Sequence, residues 1–395
     1  MPLRALAAVN VAAIERNVAR LARELEPGCR VCVVVKAEGY GHGAVASARA
    51  AQAGGAGWLA VATADEAAAL RGAGIDGRLL VMGCLGATEL DRALAAGADV
   101  VAWTERFVGA VAAHGGGRVH VKLDTGMGRL GTRDPDQATR TAEAAAGAPA
   151  VELVGAMTHF ATADERGDAF FAEQLERFRV WALPLRARFP GLIVHAANSA
   201  ALLREPAAHH DMVRPGVAAY GLDPFGEDPA ARNLEPALEL ATHVAALKPI
   251  APGESAGYGR RWIADAPSTV ATLPVGYGDG WPRARTGDAE VLLAGERRRL
   301  RGTVSMDYVT ADAGPDPRVA SGDEAVLIGA RGSERILAEE VARRQGTINY
   351  EVTTALLPRL PRAYHRDGEP VAEHDAALLV TAARAGQEAG AGRAR

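Results

Sequence analysis

This chain reads as an α/β protein, an N-terminal (β/α)8 barrel followed by a mostly β C-terminal domain. From residue 29 to about 216, short apolar runs alternate with alanine-rich amphipathic stretches at the roughly 30-residue period of a β/α unit. Eight such runs can be counted, and eight strands of one direction close naturally into a TIM-like ring. After about Pro224, prolines and glycines become frequent and the apolar segments shorten, as in antiparallel strands joined by turns. Periodicity alone leaves an open, doubly wound sheet as the competing architecture.

The strands fall at 30–35, 58–62, 79–82, 100–103, 119–123, 153–157, 193–196 and 212–214, each mostly apolar. Helical stretches fill the gaps, for example 64–71, 88–96 and 168–188. The barrel domain is placed at 1–235, with about the first ten residues able to pair with the second domain. That domain occupies 236–380, with short strands at 268–273, 290–293 and 325–328. Residues 381–395 have little to bury and read as a disordered tail.

With 395 residues and 48% hydrophobic content, the chain can build one large core and a smaller one. A net charge of -4 and a pI near 6.2 leave no electrostatic footprint for nucleic acid or an anionic membrane, so small molecules are the expected ligands. Asn10, Glu15 and Arg16 interrupt the alanine-rich start before a signal core or membrane span is complete, which points to the cytoplasm. Cys29, Cys32 and Cys84 are too few for a disulfide framework. Cys29 and Cys32 form C-x-x-C, but on an apolar strand they point to opposite faces and read as inert buried thiols. No H-E-x-x-H or second cysteine pair suggests a metal. His209 and His210 are expected to end a surface segment.

Nearly all the unusual residues follow a strand. Lys36 and Tyr40 follow the first, Asp124, Thr125 and Arg129 the fifth, His159 the sixth, and Asn198 and Ser199 the seventh, while Arg214 and Gly216 end the eighth. In a barrel those loops share one face, so distant segments converge on one pocket. The loops after the last two strands are the usual phosphate site, which Ser199 and the amides near Gly216 suit. Lys36, at the mouth of an apolar strand, is partly desolvated, which favours a neutral, nucleophilic amine able to form a Schiff base. The ordinary alternative is a strand-end lysine reaching solvent.

A Schiff-base lysine, a phosphate cradle and a barrel together suggest pyridoxal phosphate. V-V-K-A-E-G-Y-G-H-G (34–43), K-L-D-T-G-M-G-R-L-G (122–131), M-T-H-F-A-T-A-D (157–164), N-S-A-A (198–201) and R-P-G-V-A-A-Y-G (214–221) resemble alanine racemase, in order. So do G-Y-G-R-R-W (257–262), V-G-Y-G-D-G (275–280), G-T-V-S-M-D (302–307) and N-Y-E-V (349–352). These collinear motifs span both domains, from about residue 3 to 365.

The resemblance implies interconversion of L-alanine and D-alanine with pyridoxal 5'-phosphate, supplying D-alanine for peptidoglycan. Racemisation removes the α-proton from one face and returns it to the other, so two acid/base groups should flank the cofactor. By resemblance, Lys36 carries the cofactor as a Schiff base and serves the D-enantiomer, and Tyr258 serves the L-enantiomer. An ordinary phenol ionises near pH 10, about 3 units too high for easy proton abstraction, so a positive neighbourhood is required. The family provides it through a hydrogen-bond chain whose members here are His159 and Arg214. By resemblance Arg214 faces the pyridine nitrogen, where many other pyridoxal enzymes place a carboxylate, and a guanidinium can donate to that nitrogen without readily protonating it. The ring is then a weaker electron sink, which disfavours side reactions.

For the cofactor the resemblance points further to Tyr40, Asn198, Ser199, Gly216, Val217 and Tyr350. For the substrate it points to Arg129, whose fork suits a carboxylate, to Met306, and to Tyr277 at the pocket entrance. Lys122 matches a lysine often carbamylated in the family, with a salt bridge to Asp124 or Asp307 as the rival. The family is a head-to-tail homodimer with shared active sites, so Tyr258, Tyr277 and Met306 would act in trans. Glu38 departs from the family's asparagine or aspartate, and Ala256–Gly257 from a bulkier residue and serine. A pyridoxal decarboxylase would need an acidic partner for the ring nitrogen, and a pyridoxal-phosphate carrier would need only the barrel. A racemase acting on other small side chains stays open, because one hydroxyl or methylene changes discrimination by about 1 to 3 kcal/mol.

Overall fold

The computed structural model describes residues 4–371, so the tail expected over 381–395 lies outside the described residues. Two compact units are present, one spanning 14–219 and the other joining the first residues to the segment from Tyr220 onward. The first strand, β1 (Ala5–Asn10), belongs to the second unit.

In the first unit eight parallel strands follow in chain order: β2 (Arg30–Val34), β3 (Trp58–Val61), β4 (Arg78–Val81), β5 (Asp99–Ala102), β6 (Gly117–Lys122), β7 (Val151–Met157), β8 (Ile193–His195) and β9 (Met212–Val213). Parallel pairing of β9 with β2 closes the ring and rules out the open sheet. The strands are buried on both faces because helices cover the outside, which is why they read as continuous apolar runs. The helix Ala64–Gly72 starts at Thr63, whose hydroxyl and the Glu66 side chain satisfy each other's backbone amides in a capping box. The long helix Phe170–Arg188 buries Phe171, Leu175, Phe178, Trp181, Ala182 and Leu185, one apolar stripe at helical spacing.

His209 and His210 depart from the expected surface segment. His209 is buried and donates from Nε2 to the Leu202 carbonyl at 2.8 Å, and the His210 ring stands edge-on to Phe178. One carbonyl is enough to satisfy the imidazole there, so a polar residue type did not mean an exposed one. All three cysteines are free thiols, and burial pushes Cys32 up to about 12 and Cys29 up to about 11.

The second unit is mostly β. It contains β10 (Leu238–His243), β11 (Ala246–Ile250), β12 (Ser255–Ala256), β13 (Trp262–Ile263), β14 (Ser268–Leu273), β15 (Glu290–Leu293), β16 (Glu296–Arg301), β17 (Val309–Asp312), β18 (Glu324–Arg331), β19 (Glu334–Ile336), β20 (Arg362–Arg366) and β21 (Glu369–Pro370). One large sheet runs β11-β14-β17-β16-β15-β18-β10-β1-β20-β21. β1 pairs antiparallel with β10 and parallel with β20, and its alternating burial puts Ala5, Ala7 and Val9 into the core. No helix among the described residues is long and apolar enough to cross a membrane.

Candidate active site

Lys36 lies two residues past the end of β2, and the next four residues form one turn of left-handed backbone: Ala37 (φ 51°), Glu38 (φ 54°), Gly39 (φ 58°) and Tyr40 (φ 54°). Three of the four carry a Cβ, at a cost of about 1–2 kcal/mol each, so surrounding bonds must hold the turn. They do. Gly39 N–H donates to the Val35 carbonyl at 3.0 Å, Gly41 N–H to Ala37 at 3.0 Å and Gly43 N–H to Glu38 at 2.7 Å. Glu66 accepts from Ala37 N–H at 2.7 Å, and the Glu38 carboxylate accepts from Ala44 N–H at 3.3 Å. The departure at Glu38 is thus used to begin the following helix. Tyr40 ends the turn buried, and burial pushes its phenol up.

Around this turn lies a concentration of positive charge. Burial lowers the Lys36 ammonium, the Arg129 guanidinium lowers it further, and Glu66 only partly opposes them. Lys122, at the end of β6, is pulled down to about 8 by burial and by Arg214 and Arg129. Neither carboxylate offered by the sequence pairs with it. Asp124 instead accepts from Gly126 and Gly128 N–H at 3.0 Å and from Arg133 at 3.2 Å. Asp307 binds Arg359 at 2.9 Å within its own unit. The Asp124 contacts shape the glycine-rich loop that leaves Arg129 exposed. Such a cluster of cations is built for anions.

Arg214 follows β9 and is fully buried. Its Nη1 donates to His195 Nδ1 at 2.8 Å, and its Nη2 donates to the carbonyls of Thr158 at 2.7 Å and Ala196 at 2.9 Å. His159 Nδ1 lies 3.5 Å from Nη2, and burial together with Arg214 holds that imidazole well below its usual range. Among the described residues Arg214 Nε alone of its nitrogens is buried without a partner. Sequence reasoning missed His195, His120 and Asp99, which continue inward from Arg214. The available signal was V-H-V-K on β6, where His120 and Lys122 alternate with valines and so share one face.

Asn198 caps the helix Ser199–Arg204, its Oδ1 accepting from Ala201 N–H at 2.9 Å. Ser199 Oγ accepts from Gly216 N–H at 3.0 Å and Ala218 N–H at 3.3 Å, with Val217 buried between them. Gly216 has to be glycine, because a Cβ there would lie 2.3 Å from Tyr40 Oη. These contacts bring Tyr40, Ser199, Gly216 and Val217 together, and Asn198 precedes Ser199 as the cap of its helix.

In the second unit Tyr258 sits in an exposed turn between Gly257 (φ 79°) and Gly259 (φ 72°), and its carbonyl accepts from Thr303 Oγ1 at 2.7 Å. Gly257 is packed tightly, since a Cβ would lie 2.8 Å from Thr303 N. Tyr277 N–H donates to Ser305 O at 3.1 Å and Gly278 N–H to Met306 O at 2.9 Å. The strip 302–306 thus joins Tyr258, Tyr277 and Met306. Tyr350 is the second residue of the helix Asn349–Thr354, where Asn349 Nδ2 donates to Asp223 O and Glu339 Oε1, both at 2.8 Å.

Comparison with known proteins agrees along the chain. The N-terminal domain of alanine racemase matches residues 9–224, and the C-terminal domain matches residues 237–364. The chain is 41% identical over 372 residues to the alanine racemase of Frankia casuarinae, covering 92% of this chain and 96% of that one. It is 40% identical over 364 residues to that of Symbiobacterium thermophilum, covering 91% and 96%. The alanine racemase structure from D-cycloserine-producing Streptomyces lavendulae superimposes with a TM-score of 0.88 at 36% identity, covering 95% of this chain and 99% of that chain. The one from Bacillus anthracis, solved with bound L-Ala-P, gives 0.86 at 35% identity, covering 94% and 98%.

Proposed function

This chain belongs to the alanine racemase family through both of its domains, and from that membership we propose that it interconverts L-alanine and D-alanine by two-base proton transfer, with pyridoxal 5'-phosphate anchored on Lys36. The observation that carries the reading is Arg214, a buried guanidinium whose Nε–H is left without an acceptor. An aromatic ring nitrogen would complete it. The donor set suits the rest of that cofactor, because the amides of Gly216 and Ala218 converge with Ser199 and Tyr40 where a phosphate could be held. When bound, the cofactor supplies an electron sink conjugated to the substrate α-carbon.

The chain's own groups do the rest. Lys36 Nζ, whose proton burial and Arg129 make easier to lose, takes or returns the α-proton on one face. Tyr258 Oη, supplied by a second copy of the chain, acts on the other. Arg129 grips the substrate carboxylate as a fork, and Tyr277 and Met306 of the second copy border the substrate. Lys122, lowered to about 8 and so partly neutral near physiological pH, can add carbon dioxide with release of a proton to give a carbamate that orients Arg129. Arg214 donates its hydrogen bond and keeps its proton, which restrains side chemistry. The same arginine speaks against a decarboxylase that needs an acidic ring partner. The physiological role proposed is D-alanine supply for peptidoglycan in the cytoplasm.

The test is incubation of the purified holoenzyme with separate L-amino acids, followed by chiral analysis. D-Alanine should accumulate from L-alanine, and Lys36→Ala should lose both racemisation and the absorption band of the anchored cofactor. A coloured, active Lys36→Ala protein would defeat the proposal.

A further inference from the structure

We propose that Asp99, His120 and His195 form a positioning chain for Arg214, running through the barrel interior and holding that guanidinium as a charged donor with its Nε–H left over for the cofactor. The inference rests on the reading of Arg214 given above. His120 Nε2 lies 3.1 Å from Asp99 Oδ2, His120 Nδ1 lies 2.9 Å from His195 Nε2, and His195 Nδ1 lies 2.8 Å from Arg214 Nη1. All four residues are buried.

The ends of this chain fix its polarity. A guanidinium only donates, so His195 Nδ1 must offer a lone pair and Nε2 must carry the proton. His195 then donates to His120 Nδ1, and His120 donates from Nε2 to the carboxylate. Both imidazoles are neutral in this arrangement, and burial lowers each of them, with Arg214 adding to the effect on His195. At the far end burial pushes the Asp99 carboxyl up, but the His120 hydrogen bond and the neighbouring Arg118 and Arg78 outweigh it and keep the group ionised. Arg118 Nε and Arg78 Nη2 donate to Asp99 at 2.6 and 2.7 Å.

The neighbouring strand is cut to fit. Gly155 pairs with His120 across β6 and β7, and a Cβ there would lie 2.2 Å from His120 Nδ1. Only a missing side chain on β7 lets His120 on β6 reach His195 on β8. A buried polar line of this kind is costly unless every member is satisfied, and here each link has both a donor and an acceptor. An ionised carboxylate at one end strengthens the lone pair presented at the other, which is what a buried guanidinium needs to stay charged and in place.

The test combines tautomer and variant measurements on the whole protein. Nitrogen-15 spectra of histidine-labelled apoenzyme and holoenzyme should show His120 and His195 neutral with the proton on Nε2; an Nδ1 proton or an imidazolium at either site overturns the inference. His120→Leu leaves His195 Nε2–H without an acceptor, so the cofactor band should shift and kcat should fall about tenfold while the KM for alanine stays within about twofold. His120→Gln can accept from His195 and donate to Asp99, and it should restore both. An unshifted band in a folded His120→Leu holoenzyme overturns the proposal. If that variant does not fold, the spectra of the unmutated protein still decide. Absence of alanine racemisation would defeat the proposed function, whereas a wrong tautomer in an active enzyme would defeat this inference alone.

Discussion

Lys122 concentrates the physical problem of this site, a basic group buried among other cations. Its pKa of about 8 lies below the 10.5 of an ordinary lysine because burial, Arg214 and Arg129 disfavour the ammonium and Asp124 only partly opposes them. Between those two values the unfolded chain binds more protons at this side chain than the folded one. Stability should therefore rise as pH climbs from about 8 to about 10.5, and that gain is lost as pH falls back to the folded value. The whole window corresponds to about 3 kcal/mol. Urea unfolding of the apoprotein across this window should reveal the gain, and Lys122→Met should remove it while being the more stable protein at pH 7. Identical pH slopes for parent and variant would mean the ammonium is not held down by the fold. The neutral amine is also what carbon dioxide would trap, so a carbamate signal from labelled bicarbonate should vanish in the same variant.

Elements differ in how openly the sequence declared them. The barrel strands were legible because helices cover their outer face, leaving β-branched runs whose ends fall within a residue or two of the observed ones, as at Arg30–Val34 and Trp58–Val61. Ser268–Leu273 and Glu290–Leu293 were equally plain, bounded by turn residues. Of the Asp99, His120 and His195 line only His120 left a signal, its alternation with Lys122 on β6, because the other two are single polar interruptions and the pairing spans strands far apart in sequence. The left-handed turn after Lys36 was hidden too, since Ala37, Glu38 and Tyr40 carry no local preference for it and only Gly39 does. That turn brings Tyr40 against Gly216, so its conformation should control cofactor retention. Gly39→Ala adds a Cβ 2.6 Å from Ser47 Oγ at φ 58°, and should cost about 1–2 kcal/mol and weaken the cofactor band. Gly57→Ala, with open space around it, is the control. Equal urea midpoints for the two variants would show that the turn stores no strain.

The distribution of exposed apolar side chains argues for a second copy of the chain. Among the described residues Tyr258 is 72% exposed, Ile348 58% and Met306 52%, and Ile263, Tyr277, Tyr308 and Leu357 join them in the second unit, whereas Val180 alone stands out in the barrel unit. Large apolar groups concentrated in one unit are what an interface with another chain would cover. Three of the seven, Tyr258, Tyr277 and Met306, are residues proposed above to act on a second copy's site, and a twofold dimer would both cover them and deliver Tyr258 to the other chain's Lys36. The arrangement predicts complementation between two dead enzymes. In a hybrid of Lys36→Ala with Tyr258→Ala, one of the two sites combines the intact lysine of one chain with the intact tyrosine of the other. Random reassortment makes about half of the dimers hybrid, so mixing after mild dissociation should restore about a quarter of the parental activity. If both groups came from one chain, no hybrid would contain a complete pair and the mixture would stay inactive. Native mass spectrometry of a mixture in which one variant is isotope-labelled shows the hybrid dimer directly, and with exchange established a silent mixture would refute the shared site.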